Sequence, residues 1–202
     1  MMARQRAFAR DEQLFMQGHP VRHLVLILTG SVKLTQLSSS GNEVVLGIIG
    51  PGNLAGVLAE PGATTHTCSA RAMEKCVVFS WDSITLQRLM EECPQIRRNA
   101  SDILIERLSE LEERFRELAT EKVHTRLAYA LIRLHKQIGK RVDEGVMISL
   151  SRDELAQMVG TTLFTISRII SRWASSGFIE GRREAVVIRD VHMLRLAAHA
   201  AD

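Results

Sequence analysis

Ser151-Arg152-Asp153-Glu154-Leu155-Ala156-Gln157-Met158-Val159-Gly160, continued by Thr161-Thr162-Leu163-Phe164-Thr165-Ile166-Ser167-Arg168, is the stretch that decides the fold of this chain. Its first four residues have the form of a capping box. A serine hydroxyl satisfies a free backbone N–H at a helix start, and the glutamate three residues on reaches back. Leu155, Ala156 and Val159 follow at helical spacing. Gly160 interrupts the run, and a second amphipathic helix is expected over about 162–175. Two helices that cross steeply need a small residue where they touch, here Ala156. They need a residue that tolerates positive φ at the turn, here Gly160. They also need an apolar anchor in the second helix, here Ile166, while Leu155, Val159 and Ile169 fill the other buried slots. The pattern is that of a helix-turn-helix, and a purely structural helical hairpin is its alternative.

On this reading the second helix turns Thr162, Leu163, Phe164, Thr165, Ser167, Arg168 and Arg172 outward, and its N-terminal half meets base edges in the major groove of double-stranded DNA. Arg168 suits a bidentate contact to guanine. Thr162, Thr165 and Ser167 suit phosphates or bases, and Leu163 or Phe164 suits a thymine methyl. Ser151 and Thr161 complete the candidate set on the two helices. Residues 177–188 read as two short strands around a basic turn, a wing with Arg182 and Arg183 at its tip. Arginines there suit phosphate contacts, which position a protein without reading sequence; a solvated turn is the alternative.

Upstream, a long helix is expected over about 95–120, with Leu104, Leu108, Leu111, Phe115 and Leu118 spaced by 4, 3, 4 and 3 residues. That is a heptad seam, narrow and flanked by charge, and it predicts homodimerisation rather than packing within the chain. A further helix over 121–138 has Val123, Leu127, Leu131 and Leu134 on one face. Gly139 ends it, and 141–145 reads as a polar link.

Before Asp82 the pattern is β-rich. Apolar runs at 23–28, 32–37, 44–49 and 76–81 are divided by turn signals at 29–30, 38–42, 50–53 and 60–62. Val32 to Leu37 alternates and is expected to present one apolar face. A short helix over 83–92 ends at Cys93-Pro94. The fold class expected is α+β: a jelly-roll-like β sensor domain over 1–94, a dimerisation helix over 95–120 and a winged helix-turn-helix domain over 121–202.

Bulk properties agree. Residues 119–202 carry 13 Lys/Arg against 9 Asp/Glu, whereas the remainder carries 13 against 14, so the basic surplus sits with the proposed DNA-binding part. No apolar run approaches the ~20 residues of a membrane span, and no signal peptide opens the chain, so a cytoplasmic protein with no membrane partner is expected. Three cysteines without CxxC spacing argue against a disulfide framework and a four-thiolate metal site. No P-loop, GxSxG or HExxH motif is present, so an enzyme is not expected. A dimeric scaffold without DNA binding and, more weakly, a thiol-dependent enzyme are the alternative functions.

The order of parts resembles the Crp/Fnr family of bacterial regulators. Phe15, Gly18, Gly30, Val32-Lys33-Leu34, Gly41, Gly52 and Gly56 match its β-roll pattern, and Thr165-Ile166-Ser167-Arg168 is similar to its recognition helix. The resemblance implies a homodimer on a palindromic operator, controlled by a small effector and working with RNA polymerase. It also exposes departures. Cyclic-AMP-binding members carry a glutamate after the Gly-x-x-x-Gly turn and an Arg-Ser pair further on. Here Val57 follows Gly56, and His66-Thr67 falls at the pair, so a cyclic phosphate would lack its charge partner. The four-cysteine iron–sulfur pattern is absent too. Phe164 stands where a glutamate that reads cytosine is usual, so the half-site should differ from the common one.

The effector site is expected around Val57, Leu58, His66, Thr67 and Cys68. His66 lies near the position of a haem-ligating histidine in the family's carbon-monoxide sensors, so haem is one candidate, with a plain loop histidine as the alternative. Thiol oxidation at Cys68 or Cys93 is a second candidate, with Cys76 as a small buried hydrophobe. An apolar small molecule is the third. No metal site other than that haem ligand is expected.

Overall fold

The computed structural model describes residues 3–56 and 65–199. Val57 and Leu58, and the turn signal at 60–62, lie outside the described residues. The chain divides into two compact units, Met1–Glu113 and Arg114–Asp202, which part inside the long helix.

In the first unit β1 (Arg4–Phe8), β2 (Gln13–Phe15), β3 (His23–Thr29), β4 (Val32–Leu37), β5 (Glu43–Ile49), β6 (Leu54–Ala55), β7 (Ser69–Ala72) and β8 (Cys76–Asp82) form two sheets, ordered β1-β8-β3-β6 and β2-β7-β4-β5. All pairings are antiparallel. The core between them includes Phe8, Val25, Ile27, Val32, Ala70, Cys76 and Val78. Period-2 alternation builds it: along β8, Cys76, Val78 and Ser80 are buried, while Val77, Phe79 and Trp81 are half-buried. α1 (Ser83–Glu92) follows at once. Asp82 caps it by accepting hydrogen bonds from the Thr85 backbone N–H and hydroxyl at 2.8 and 3.0 Å.

One expectation is met only in part in β4. The apolar face predicted for Val32 to Leu37 forms at Val32 and Leu34, which pack in the core, and does not continue to Leu37. Leu34 pairs with Gly47 but Thr35 pairs with Val45, so an extra residue lies on β5. The pairing with β5 slips by one there, while β4 stays in unbroken register with β7; Thr35 is buried and Leu37 exposed. The Gln17 amide then acts as a strand substitute, accepting from Leu37 N and donating to its carbonyl.

Gly30, between β3 and β4, has φ +85°, and a Cβ there would stand 2.6 Å from Cys76 Sγ and 2.7 Å from Lys75 O. Only glycine fits, since both the backbone conformation and the space exclude a side chain.

α2 (Pro94–Thr120) leaves the first unit and enters the second. The second unit contains α3 (Val123–Gln137), β9 (Lys140–Val142), β10 (Gly145–Ile148), α4 (Arg152–Val159), α5 (Leu163–Ser175), β11 (Ile179–Gly181), β12 (Val186–Ile188) and α6 (Val191–His199). The link expected at 141–145 is in fact the end of β9, a two-residue turn at Asp143-Glu144 and the start of β10. β10 pairs with β12, so the wing belongs to a four-stranded sheet, β11-β12-β10-β9. α6 was not anticipated. Asp190 caps it, accepting from His192 N and Met193 N, and the buried Thr125 hydroxyl donates to Ala198 O at 3.0 Å, tying α6 to α3. No helix among the described residues is long and apolar enough to cross a membrane.

The one buried residue of α2 is charged: Glu117, 4% exposed, accepts from both terminal nitrogens of Arg133 on α3, at 2.5 and 2.9 Å. A two-pronged pair of this kind fixes direction as well as distance.

Two stability predictions follow from these contacts. Gly30→Ala should cost about 2 kcal/mol or more in urea unfolding, from positive φ and overlap together. Arg133→Met, which strands the Glu117 charge, should cost about 2–3 kcal/mol, and the double variant Glu117→Leu with Arg133→Met should cost less than the sum of the two singles.

Candidate nucleic-acid interface

The capping box forms in full. Ser151 Oγ accepts from Glu154 N at 3.2 Å, and Glu154 Oε2 accepts from Ser151 N at 2.9 Å. Ser151 is thereby committed to starting α4. Gly160 ends that helix at φ +70°, in the left-handed region. Thr162 then caps α5, its hydroxyl accepting from Thr165 N at 3.2 Å. The inner faces of α4 and α5 are apolar: Leu155, Ala156 and Val159 on α4 and Ile166, Ile169, Ile170 and Trp173 on α5 are all buried.

The opposite face of α5 is open. Phe164 is 75% exposed, Leu163 about half exposed, and Arg168 and Arg172 are exposed. Arg168 forms no ion pair among the described residues. Thr161 and Thr165 are partly buried, as is Ser167. An arginine flanked by apolar side chains on a helix capped by hydroxyls presents a guanidinium fork where carboxylates do not compete for it.

The wing is more crowded than its sequence suggests. Arg182 Nε donates to Glu180 at 2.8 Å and the same guanidinium lies 3.5 Å from Glu144, while Arg189 also binds Glu180. The two arginines hold the Glu180 carboxyl below its ordinary range, and Glu180 in turn raises Arg182. Arg183 is the exposed cation of this turn.

Sequence reasoning missed Arg126. From α3 its Nε donates to Val159 O at 3.1 Å, its Nη2 to Gly160 O at 3.3 Å and its Nη1 to Glu121 O at 3.0 Å. One guanidinium thus satisfies carbonyls at the C-terminal end of α4 and ties them to the α2–α3 junction. A cation is favoured at a helix C-terminus. The Val159-Gly160 helix end was visible in the sequence; which arginine would reach it was not. Gly160 also faces Leu118, whose Cδ2 a Cβ would meet at 3.2 Å.

The α2 seam lies open in the single chain. Leu104, Leu108, Leu111, Phe115 and Leu118 are all about half exposed or more, Phe115 reaching 73%, and Ile105 joins them.

In the first unit, His66 is 5% exposed and its ring stacks on Phe15 at 3.9 Å between centroids and 9° between planes. Its backbone is held at both ends, N–H to His19 O at 2.9 Å and carbonyl from Gly18 N at 2.8 Å. Burial, followed by the nearby His19, keeps its pKa below the ordinary histidine value. Nδ1 is buried without a hydrogen-bond partner among the described residues. Cys68 is half-buried, and burial raises its thiol pKa against the opposing pull of Arg107 and a Thr67 hydrogen bond. Arg107, on α2, donates to Leu54 O and anchors that helix to β6. Cys76 is buried and its Sγ donates to Ser31 O at 3.2 Å, as a small core residue does; Cys93 is exposed. Among the described residues no group of three or more His, Cys, Asp or Glu side chains is placed to hold a metal ion.

Known proteins share this layout. Residues 5–93 match the cyclic nucleotide-binding domain, and 125–197 match the Crp-like helix-turn-helix domain. The chain is 27% identical over 93% of its length to the CRP-like cAMP-activated global transcriptional regulator of Mycobacterium tuberculosis, covering 84% of that protein. It is 26% identical over 94% of its length to the transcriptional activator protein anr of Pseudomonas aeruginosa, covering 78%. Among solved structures, FixK2 from Bradyrhizobium japonicum superposes with a TM-score of 0.84 at 21% identity, over all of both chains. A CRP/FNR-family transcriptional regulator from Thermus thermophilus gives 0.82 at 22% identity, over 98% of this chain and 99% of its own. The mycobacterial, Pseudomonas and Thermus proteins are named as regulators or activators of transcription. With a β-roll of cyclic-nucleotide-binding type at one end and a winged helix-turn-helix at the other, this chain belongs to the Crp/Fnr family of transcription regulators.

Proposed function

We propose that the protein works as a cytoplasmic homodimer on a palindromic operator, that an effector in the N-terminal unit sets its affinity for DNA, and that RNA polymerase is its further partner. The observation that carries the DNA reading is the exposed face of α5, which presents Leu163, Phe164 and Arg168, the last with no ion pair among the described residues. In this reading Arg168 contacts guanine, and Phe164 with Leu163 packs on thymine methyls. Thr161, Thr165, Ser167 and Arg172 line the backbone, and Arg183 reaches a phosphate from the wing. Thr162 and Ser151 act as helix caps at the contact. Arg182 is the weaker wing candidate, because two glutamates already neutralise it.

The homodimer rests on the open seam from Leu104 to Leu118. An apolar stripe of this length with charged flanks matches a second copy of itself. Pairing would set two recognition helices one helical turn of DNA apart, about 34 Å.

For the effector, a small ligand is better supported than haem or cyclic AMP. A haem-ligating imidazole ordinarily donates its second nitrogen to a carboxylate or carbonyl. Nδ1 of His66, which has no partner among the described residues, weighs against that role. The cAMP activation of the mycobacterial relative does not transfer readily either, since a buried, neutral His66 gives a cyclic phosphate no counter-charge. Thiol control is disfavoured at Cys68, whose raised pKa leaves less thiolate to react.

Selection of operators from random duplexes, followed by affinity measurements at several salt concentrations, tests the reading. Affinity should fall steeply with salt, as phosphate contacts release counterions. Arg168→Ala should relax base preference at one position of each half-site, at a cost of about 1–3 kcal/mol. Arg183→Ala should weaken all sequences alike. A chain carrying Leu108→Glu and Leu111→Glu should sediment as a monomer and lose the palindrome; tight palindrome binding by that monomer would overturn the dimer.

A further inference from the structure

We propose that the N-terminal unit binds a small organic carboxylate in a cavity between β1, the β2–β3 connection and His66. This goes beyond the effector reading above by naming the site and the chemical class, and its regulatory meaning rests on that reading. The cavity measures about 300 Å³, at the small end of ligand pockets. Thr67 and Cys68 take no part in its wall.

Three properties of the wall converge on a carboxylate. First, it is cationic. Arg6 and Arg22 both line it, and neither is paired with a carboxylate among the described residues; Arg6 instead lies 4.9 Å over the Phe8 ring. No acidic side chain appears in the described wall. The positive field is felt by His23, which also lines the cavity: burial and then Arg6 lower its pKa, with Arg4 and Arg22 acting the same way and Asp82 opposing. Asp82 is itself engaged in capping α1. Secondly, the wall contains a polar group that the fold leaves unsatisfied. His66 is more than nine-tenths buried, lines the cavity, and has no partner for Nδ1 among the described residues. A buried polar atom in that state asks for a partner. As a neutral imidazole it offers one donor and one acceptor. Thirdly, Leu14, Phe15 and Val25 make part of the wall apolar.

Each alternative leaves something unmatched. Inorganic phosphate would pair the arginines but leave the apolar wall empty. A neutral solute would fill the wall but leave two guanidinium groups unpaired. A short aliphatic or aryl carboxylate matches all three, because the planar guanidinium fork fits a carboxylate.

Calorimetric titration of the full-length protein tests this. The probes are butanoate, hexanoate, benzoate and phenylacetate, with hexanamide, benzamide and inorganic phosphate beside them. At least one carboxylate should bind saturably, and at least roughly tenfold more tightly than its amide. The same carboxylate should weaken by at least about tenfold in Arg22→Ala and in Arg6→Ala. Both arginines are exposed, so an unchanged urea midpoint will show that the variants fold. The proposal is overturned if no carboxylate saturates by about 10 mM, if amides bind as well as acids, or if phosphate binds as tightly as any carboxylate. DNA affinity is measured in parallel. Carboxylate binding with unchanged DNA affinity keeps the site and removes effector control through it; intact DNA binding without carboxylate binding removes the site and keeps the regulator.

Discussion

The chain turns from α4 into α5 through only three residues, and the surface that the C-terminal unit offers is set by that reversal. A left-handed Gly160 makes the turn, Ala156 and Ile166 let the helices close on each other, and Thr162 starts the second helix at once. With the inner faces sealed, the remaining side of α5 has nowhere to go but outward, taking Leu163, Phe164 and Arg168 with it. The guanidinium of Arg126 then holds the end of α4 to the α2–α3 junction, so the reversal is fastened from behind as well as packed from within.

Much of this was legible because its causes are local. A capping box, a glycine at a turn and a 3.6-residue repeat act over a few positions, and the second unit follows them closely at α4 and α5. The strongest β-strands were readable for the same reason: β3, β5 and β8 are rich in branched and apolar residues. The parts that escaped depend on partners far away in sequence. β1 is Arg-Gln-Arg-Ala-Phe, mostly exposed at a sheet edge, and only its pairing with β8 makes it a strand. β6 has two residues, too few for any period. The β9–β10 hairpin reads as a polar link until β12 is laid beside it. The bulge after Leu34 is set by an extra residue in the partner strand, which β4 alone does not contain.

The same distinction runs through the functional residues. Arg168 was readable from its place in a helical repeat. The neutralisation of Arg182 was not, since Glu144 lies 38 residues away in the chain and reaches it only through the sheet. His66 was noticed for its position. What makes it informative, a ring packed flat on Phe15 whose Nδ1 has no partner among the described residues and which lines one cavity with two arginines, belongs to the folded unit alone.

The seam on α2 has a consequence for dosage. When an apolar stripe is covered only by a second copy, the fraction of paired chains depends on how many chains a cell holds. If the seam pairs two copies as proposed, operator occupancy at low copy number would grow roughly as the square of chain abundance rather than in proportion to it. Synthesis and degradation of the protein would then become inputs in their own right. A modest change in either would move promoter output sharply, with no change in any small molecule.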